Sequence, residues 1–423
     1  MGARDSSKTA RVLLFDLQST GHHLENASGF LEALNRNGSL EVDLLAPWET
    51  EKHTEYFASS HLRTLFAKDS DATELYDPST NDGQRAIMRE AAEFIADSDY
   101  SLVHFLHVDF SSRWIYNSFR RLEDCPPFVG TLNGAYFVDR GLINQCIYSV
   151  LSTPLAPAIV PLLPDNPSRH VNLYKCFTTD VLDHLFVHSK AAKKHVLSMT
   201  GGYSSNDITV VPDPADLWCK DMPTQQEARE FFDIQQDERV VLFFGQLREE
   251  KGIDILLEAI KQYDGPEFTL IIAGVPKDVS TTELETGSDN PVVSLRTDLR
   301  FIPHEEIPMY YAVADGVVLP YRTMFGSERT SNVFQNVCGA ATPVIVPDFG
   351  TFSKRTNEYN LGIAYPPDSP AGLSDALERF MDDPKRTYDE QSIRSYATSQ
   401  SYDALAETAL ERYHSLLNVK VKK

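Results

Sequence analysis

Two short polar segments of the sequence carry side chains that could hold a negatively charged ligand. The first, residues 245–252, directly follows an apolar strand pattern at 240–244 and contains Arg248 and Lys251. Cations placed between the end of a strand and the start of a helix can neutralise a phosphate or diphosphate. An ordinary loop, whose own glutamates pair with the two cations, would give the same sequence. The Gly-Lys-Ser/Thr ending of a Walker loop is absent.

The second segment, residues 326–334, lies between a predicted strand at 316–319 and a predicted helix at 331–340. The amides of a first helical turn, here those of Ser331, Asn332 and Val333, lack partners within the helix and attract anions. Glu328 precedes them and could accept hydrogen bonds from sugar hydroxyls. A capping or solvent-facing carboxylate is the alternative interpretation of Glu328.

The first half of the chain offers histidines near predicted strand ends. Gly21, His22 and His23 lie in the loop after the first strand, and His107 follows a strand at 102–106. Histidine can transfer protons near neutral pH, so these residues are candidates for the acceptor side of a transfer site. Structural or solvent-facing histidines remain the alternative.

The elements that position these residues alternate between strand and helix. The first half has strand patterns at 12–15, 42–45, 102–106, 128–132 and 185–188, with helical patterns at 24–35 and 83–95. The alternation restarts with strands at 240–244, 268–272, 299–302, 316–319 and 343–346, and with helices at 253–263, 307–314 and 331–340. This order predicts an α/β fold of two Rossmann-like, doubly wound parallel-sheet domains. Ligands are expected at the carboxyl ends of the strands, in a cleft that the two domains face.

Two prolines, Pro212 and Pro214, predict an extended connector at 210–216. We therefore predict an N-terminal domain at 1–212 and a C-terminal domain at 213–400. The helical segment 401–423 could pack back on the first domain.

Charge and composition exclude several classes of protein. The net charge of −22 disfavours tracking along nucleic acid and flat docking on anionic lipid. Residues 1–10 lack the apolar stretch of a signal peptide, and the five cysteines are scattered without metal-binding spacing. These features predict a cytoplasmic protein with reduced thiols and at most peripheral contact with the inner membrane face. They give no signal for an oligomeric state.

Two further segments have alternative interpretations. The apolar stretch 148–163 contains three prolines, so it is a packed loop or an apolar lip for a lipid-bearing acceptor rather than a membrane span. The basic cluster 190–195 is either a solvated helix face or a contact for a phosphorylated lipid acceptor.

Residues 244–254, Phe-Gly-Gln-Leu-Arg-Glu-Glu-Lys-Gly-Ile-Asp, closely resemble the donor-site segment of family-4 glycosyltransferases. The agreement continues in order and spacing through Phe-Ile-Pro-His-Glu-Glu-Ile-Pro at 301–308, Val-Leu-Pro-Tyr-Arg at 318–322 and Ala-Thr-Pro-Val-Ile at 341–345. It covers 186–366 well and the first half of the chain only weakly.

The resemblance implies a GT-B fold and sugar transfer with retention of configuration, without an obligatory metal or cofactor. The donor would be a nucleotide diphosphate sugar, UDP- or GDP-linked, bound by the domain at 213–400. The domain at 1–212 would be the acceptor side, and the acceptor a hydroxyl of a glycan, a polysaccharide or a lipid-linked intermediate. Lys251, assisted by Arg248, and the amides at 331–333 would stabilise the departing diphosphate, and Glu328 would hold the donor sugar. The implied donor-binding positions are Gly245, Gln246, Ile302, Ser331, Asn332, Val333 and Asn336.

Three positions depart from the family pattern. Gln246 stands where the family tends to have Arg, and Asn336 replaces a second glutamate that faces the ribose. Asn133 stands at a strand end where many relatives have a histidine near the reacting sugar, so it could position the sugar or acceptor but not transfer protons. These departures keep open a catalytically silent, donor-binding scaffold subunit. A dinucleotide-dependent enzyme is disfavoured because no G-x-G-x-x-G follows either first strand.

Overall fold

The computed structural model describes residues 9–17, 22–47, 61–65, 77, 80–120, 122, 125–134, 169–200, 205–214, 216–218, 222–279, 281, 284 and 290–420. Contacts divide the chain into two compact units. Unit 1 comprises the described parts of Met1–Pro212 and Tyr402–Lys423, and unit 2 is Asp213–Ser401. Gly21, the apolar stretch 148–163, Cys146 and Cys219 lie outside the described residues.

The described strands of unit 1 form one parallel sheet in the order β3-β2-β1-β4-β5-β6-β7. Its strands are β1 Arg11–Phe15, β2 Glu41–Pro47, β3 Leu62–Leu65, β4 Leu102–Phe105, β5 Phe128–Leu132, β6 His184–Val187 and β7 Ile208–Val210. Its helices are α1 His22–Asn37, α2 Asn81–Ala96, α3 Val108–Phe119, α4 Arg169–Thr178, α5 Lys190–Thr200 and, from the end of the chain, α13 Tyr402–Lys420.

Successive side chains of β1 point to opposite faces of the sheet, and both faces are covered. Leu13 and Phe15 belong to the apolar core on one face, whereas Val12 and Leu14 belong to the core on the other. Helix α13 contributes to the second core, where the ring of Tyr413 stacks on Phe186 with centroids 6.2 Å apart. Burial on both faces explains why the central strands are mostly apolar, with only a few polar residues such as the buried His104 and Thr131.

Unit 2 has a second parallel sheet, with the described strands in the order β10-β9-β8-β11-β12-β13. They are β8 Val240–Phe244, β9 Phe268–Ala273, β10 Val293–Asp298, β11 Gly316–Val318, β12 Val344–Pro347 and β13 Gly362–Tyr365. The helices are α6 Gln225–Phe231, α7 Ile253–Gln262, α8 Ile307–Val313, α9 Asn332–Gly339, α10 Gly350–Tyr359, α11 Pro370–Asp382 and α12 Glu390–Ser399. The prediction of two Rossmann-like parallel-sheet domains is confirmed.

One predicted strand is wrong. Residues 299–302 form no strand; the edge strand is β10, just before them, which pairs with β9 alone. An edge strand is covered incompletely, so β10 mixes polar with apolar residues and does not resemble an apolar run. The chain then turns, which leaves Phe301 75% exposed and buries Ile302. Strands β3, β7 and β13, which the sequence did not predict, also lie at or next to sheet edges or are very short.

Among the described residues, no helix is both long enough and apolar enough to cross a membrane.

Candidate functional site

The first predicted segment forms a tight loop after β8 because glycine occupies two positive-φ positions. Gly245 has φ 112° and Gly252 has φ 68°, in the left-handed region that side chains disfavour. A Cβ atom on Gly252 would lie 1.9 Å from the carbonyl oxygen of Pro320, so only glycine allows this approach. Between them, residues 249–251 make one 3-10 turn that leads into α7. The loop geometry therefore follows from the glycine spacing in the sequence.

Lys251 and the start of α9 converge on Gly245. A Cβ built on Gly245 would lie 3.3 Å from Lys251 Nζ and 3.2 Å from Val333 Cγ2. The Lys251 ammonium stands 5.0 Å from the ring centroid of Tyr321. Among the described residues it has no carboxylate or hydrogen-bonding partner. This cation is consequently available to an anionic ligand.

The N-terminus of α9 has the features of an anion-binding site. Ser331 is its N-cap and accepts a hydrogen bond from the amide of Phe334, while its Oγ also shares a hydrogen bond of 3.1 Å with the Tyr321 hydroxyl. The first-turn amides of Asn332 and Val333 have no partner within the helix, and the helix dipole adds positive potential there. Asn336 lies one turn later, so it is on the side of α9 that carries Asn332 and Val333.

Arg248 and Gln246 contact each other rather than standing independently. Arg248 Nε donates a 3.0 Å hydrogen bond to Gln246 Oε1, and its NH1 lies 4.0 Å from a carboxylate oxygen of Glu250. Glu250 also forms a 3.0 Å ion pair with Arg329. Glu250 thus offsets part of the charge of both arginines, which leaves Lys251 as the least compensated cation of the loop.

Glu328 is positioned by a loop held against α10. Its side chain is 11% exposed and lies 3.7 Å from the Lys354 ammonium. The amide of Thr351 donates to the Ser327 carbonyl at 2.9 Å, and its hydroxyl donates to the Arg329 carbonyl at 3.2 Å. The loop that carries Glu328 is therefore fixed on both sides of that residue.

Ile302 occupies a different position from the other predicted donor-binding residues. Its side chain is 7% exposed and belongs to a core cluster of unit 2. A ligand could therefore contact this position through the main chain rather than through the side chain.

Asn133 is the centre of a hydrogen-bond network in unit 1. Its side-chain amide donates to the Leu106 carbonyl at 2.8 Å and to His107 Nδ1 at 2.6 Å. His188 Nε2 lies 2.9 Å from Asn133 Oδ1. The buried carboxylate of Asp109 accepts from the amides of Asn133 and Gly134 at 2.8 and 2.7 Å. The network joins the carboxyl ends of β4, β5 and β6.

A second polar cluster in unit 1 contains Asp16, His23 and His107. His23 Nδ1 and His107 Nε2 each lie 3.5 Å from Asp16 Oδ2, and the two imidazole centroids are 4.2 Å apart. The structure thus brings together two of the predicted acceptor-side histidines. The side chain of His22, like Gly21, lies outside the described residues.

Sequence reasoning did not assign roles to Tyr321, Asp109, His188 and Asp16. Tyr321 was visible as part of the Val-Leu-Pro-Tyr-Arg motif, which begins at the end of β11 in unit 2. The other three had no local signal, since their partners lie on elements far apart in sequence.

Residues 224–399 match the family model described as glycosyl transferases group 1, which accounts for most of unit 2. The chain is 28% identical over 161 residues to an alpha-D-kanosaminyltransferase of Streptomyces kanamyceticus, a match that spans 38% of this chain and 40% of that protein. It is 26% identical over 253 residues to a D-inositol 3-phosphate glycosyltransferase of Corynebacterium urealyticum, spanning 56% of this chain and 58% of that protein. The chain spans about half the length of these relatives.

Solved structures resemble the whole chain. Sucrose-phosphate synthase of Thermosynechococcus elongatus has a TM-score of 0.70 at 18% identity, covering 97% of this chain and 100% of that one. Anabaena HepE in complex with UDP has a TM-score of 0.66 at 13% identity, covering 96% and 100%. At such identities the likeness concerns the fold, and it assigns the two Rossmann-like domains to the GT-B type that the sequence predicted.

Proposed function

We propose that the protein is a glycosyltransferase that moves a sugar from a nucleotide diphosphate sugar, UDP- or GDP-linked, to a hydroxyl acceptor. The observation that supports this most directly is the Lys251 ammonium. It stands beside Gly245 and the first turn of α9, without a carboxylate partner among the described residues. Helix amides and one uncompensated cation together form a suitable site for a diphosphate.

In this proposal, protein groups stabilise the negative charge that develops on the departing diphosphate, so the transfer requires no metal ion. Lys251 and the amides of Asn332 and Val333 stabilise that charge in the transition state. Arg248, already paired with Gln246, assists from the same loop. Glu328, in the loop held against α10, accepts hydrogen bonds from the donor sugar.

Asn336 lies one turn beyond the proposed diphosphate site, so it could hydrogen-bond the ribose through its amide. An amide makes a weaker bond there than the carboxylate the family commonly has. We propose retention of configuration, as the resemblance to family-4 enzymes implies.

We propose that unit 1 contributes the acceptor side. Asn133 cannot transfer a proton, and its hydrogen bonds to Leu106 and His107 suit a positioning role. The name of one relative, D-inositol 3-phosphate glycosyltransferase, gives a hydroxylated small molecule as its acceptor. The acceptor here would be a hydroxyl of a glycan, a polysaccharide or a lipid-linked intermediate. Such a reaction would take place in the cytoplasm, with at most peripheral contact at the membrane.

The test is calorimetric titration of the protein with UDP-, GDP- and ADP-sugars in the presence of a chelator. We expect one donor class to bind and Lys251→Ala to weaken it by roughly 10- to 100-fold, because a charge-assisted contact contributes about 1.5–3 kcal/mol. Lys261→Ala is the matched control, since Lys261 is 61% exposed in the same unit and pairs with Glu258.

Equal donor affinity in wild type and Lys251→Ala would contradict the site assignment. Donor binding without hydrolysis or transfer to any acceptor would instead favour the silent donor-binding subunit, an alternative that the group 1 family match does not favour.

A further inference from the structure

The cluster of Asp16, His23 and His107 in unit 1 has the composition of a metal site. Asp16 directly follows β1, His23 lies in the first turn of α1, and His107 is the N-cap of α3. Strands β1 and β4 are neighbours with Phe15 opposite Phe105, so Asp16 and His107 emerge at the same edge of the sheet. Two imidazoles and one carboxylate form a ligand set that divalent transition metals prefer.

The spacing of the three side chains fits coordination better than hydrogen bonding. Both histidine nitrogens are 3.5 Å from Asp16 Oδ2, beyond the ~2.7–3.2 Å of an N–H···O hydrogen bond. Two ligand atoms that each bind a tetrahedral zinc ion at ~2.0–2.2 Å lie about 3.3–3.6 Å apart. The candidate ligand atoms of all three residues lie within 4.8 Å of one another, so small side-chain rotations would bring all three within reach of one ion.

Burial also favours a bound cation. The Asp16 side chain is 2% exposed, whereas those of His23 and His107 are 13% and 15% exposed. A carboxylate removed from water needs positive charge close by. Asp43, another buried carboxylate of this sheet, faces the guanidinium groups of Arg11 and Arg63, whereas Asp16 faces two imidazoles. The partial exposure of the histidines gives an ion a route from solvent.

The hydrogen bonds around His107 can accommodate a metal ligand. A metal ion on Nε2 requires the proton on Nδ1 and an acceptor beside it. A half-turn of the Asn133 amide presents Oδ1 to His107 Nδ1 and the NH2 group to His188 Nε2. It also replaces the donor that now faces the Leu106 carbonyl at 2.8 Å by an oxygen, so that carbonyl must move away from Oδ1. His188 Nδ1 then donates to the Pro212 carbonyl, 2.9 Å away, so both histidines are satisfied as neutral imidazoles.

We propose that Asp16, His23 and His107 bind one divalent transition-metal ion, of which Zn²⁺ is the best match to this ligand set. Three protein ligands leave a coordination position for an oxygen atom, as in sites where zinc binds a substrate or water. The site is separate from the Lys251 loop and requires nothing from the donor chemistry proposed above.

The experiment uses tag-free, chelator-treated full-length protein without any nucleotide sugar, titrated with ZnCl₂ by calorimetry and with CoCl₂ by visible absorption. We expect one saturable equivalent and a Co²⁺ band typical of imidazole-bound, low-coordinate cobalt. His23→Gln and His107→Gln should each weaken binding by at least ~10-fold, as loss of an interaction with a metal ligand does. His61→Gln is the matched control, because His61 Nδ1 also lies 3.5 Å from a buried carboxylate, that of Asp43. Among the described residues, no second histidine joins these two in a possible metal-binding group.

Absence of saturable Zn²⁺ and Co²⁺ binding to the wild type would overturn the proposal, and so would unchanged affinity in both histidine variants. The wild-type cobalt spectrum does not depend on whether a variant folds. Because donor binding is tested in chelator and metal binding without donor, failure of one proposal is distinguishable from failure of the other.

Discussion

A buried ion pair at the start of unit 2 allows a quantitative test of the structure. Arg355 NH1 lies 2.7 Å from Asp213 Oδ2, with side chains only 14% and 5% exposed. Gln335 Nε2 donates to the same carboxylate oxygen at 2.6 Å, and the Tyr396 hydroxyl donates to Gln335 Oε1 at 3.1 Å. Replacing Arg355 by Met keeps much of the side-chain volume but leaves the Asp213 carboxylate with a single neutral donor in this network.

Removing one partner of a buried pair costs about 3–5 kcal/mol. We expect the lower end, about 3 kcal/mol, because Gln335 still donates to Asp213 and the arginine is not completely buried. For a unit of this size, that loss corresponds to a decrease of roughly 6–12 °C in the unfolding midpoint. The measurement is differential scanning calorimetry of Arg355→Met, complemented by urea unfolding.

Arg394→Met is the control. Arg394 forms an ion pair of 2.9 Å with Glu390, similar in length, but the two side chains are 43% and 61% exposed. An exposed pair one helical turn apart contributes about 0.3–0.5 kcal/mol, so this variant should shift the midpoint by about 1 °C. If Arg355→Met lowered stability no more than Arg394→Met, the assigned burial of the Asp213 network would be refuted.

Two further outcomes follow from the described contacts. Gly252→Ala should destabilise unit 2 by more than about 1 kcal/mol, because alanine disfavours φ 68° and its Cβ would clash with the Pro320 carbonyl. A urea unfolding curve identical to that of the wild type would contradict this. Burial lowers the pKa of His104 and of His184 to about 3. Between pH 6.5 and 3 the unfolded chain therefore binds more protons than the folded protein, so the free energy of unfolding should decrease as pH falls through that window. For each histidine, the free energy of unfolding changes with pH by at most about 1.4 kcal/mol per pH unit. His184→Gln should therefore reduce the pH dependence of the free energy of unfolding measured between pH 6.5 and 5.

The local structure of the candidate site in unit 2 could be predicted largely from sequence because its determinants are local. Glycine spacing fixes the loop between β8 and α7, and a serine N-cap starts α9. Parallel sheets then bring the two segments to one edge, where Lys251 and Val333 both approach Gly245. The strand assigned to 299–302 was wrong because half-covered edge strands lack an apolar run.

The unit 1 clusters were harder to predict because their partners come from different strands. Asn133 was recognised as a strand-end residue, but its hydrogen bonds to Leu106 and His188 depend on the order β4-β5-β6, which no local pattern encodes. The basic cluster at 190–195 shows the same limit. Lys193 donates to the carbonyl oxygens of Ser205 and Ile208 at 2.7 and 2.6 Å, so this lysine anchors a neighbouring turn.

The position of α13 has a consequence for the order in which the protein is made. Its residues are translated after those of unit 2, yet they cover the face of the unit 1 sheet that includes Phe186 and His104. All of unit 2 is synthesised while that face of unit 1 still lacks α13. Domains generally fold as units during synthesis, so unit 2 can complete folding first although it begins at residue 213. The nascent unit 1 would meanwhile expose the apolar surface that α13 covers in the complete structure.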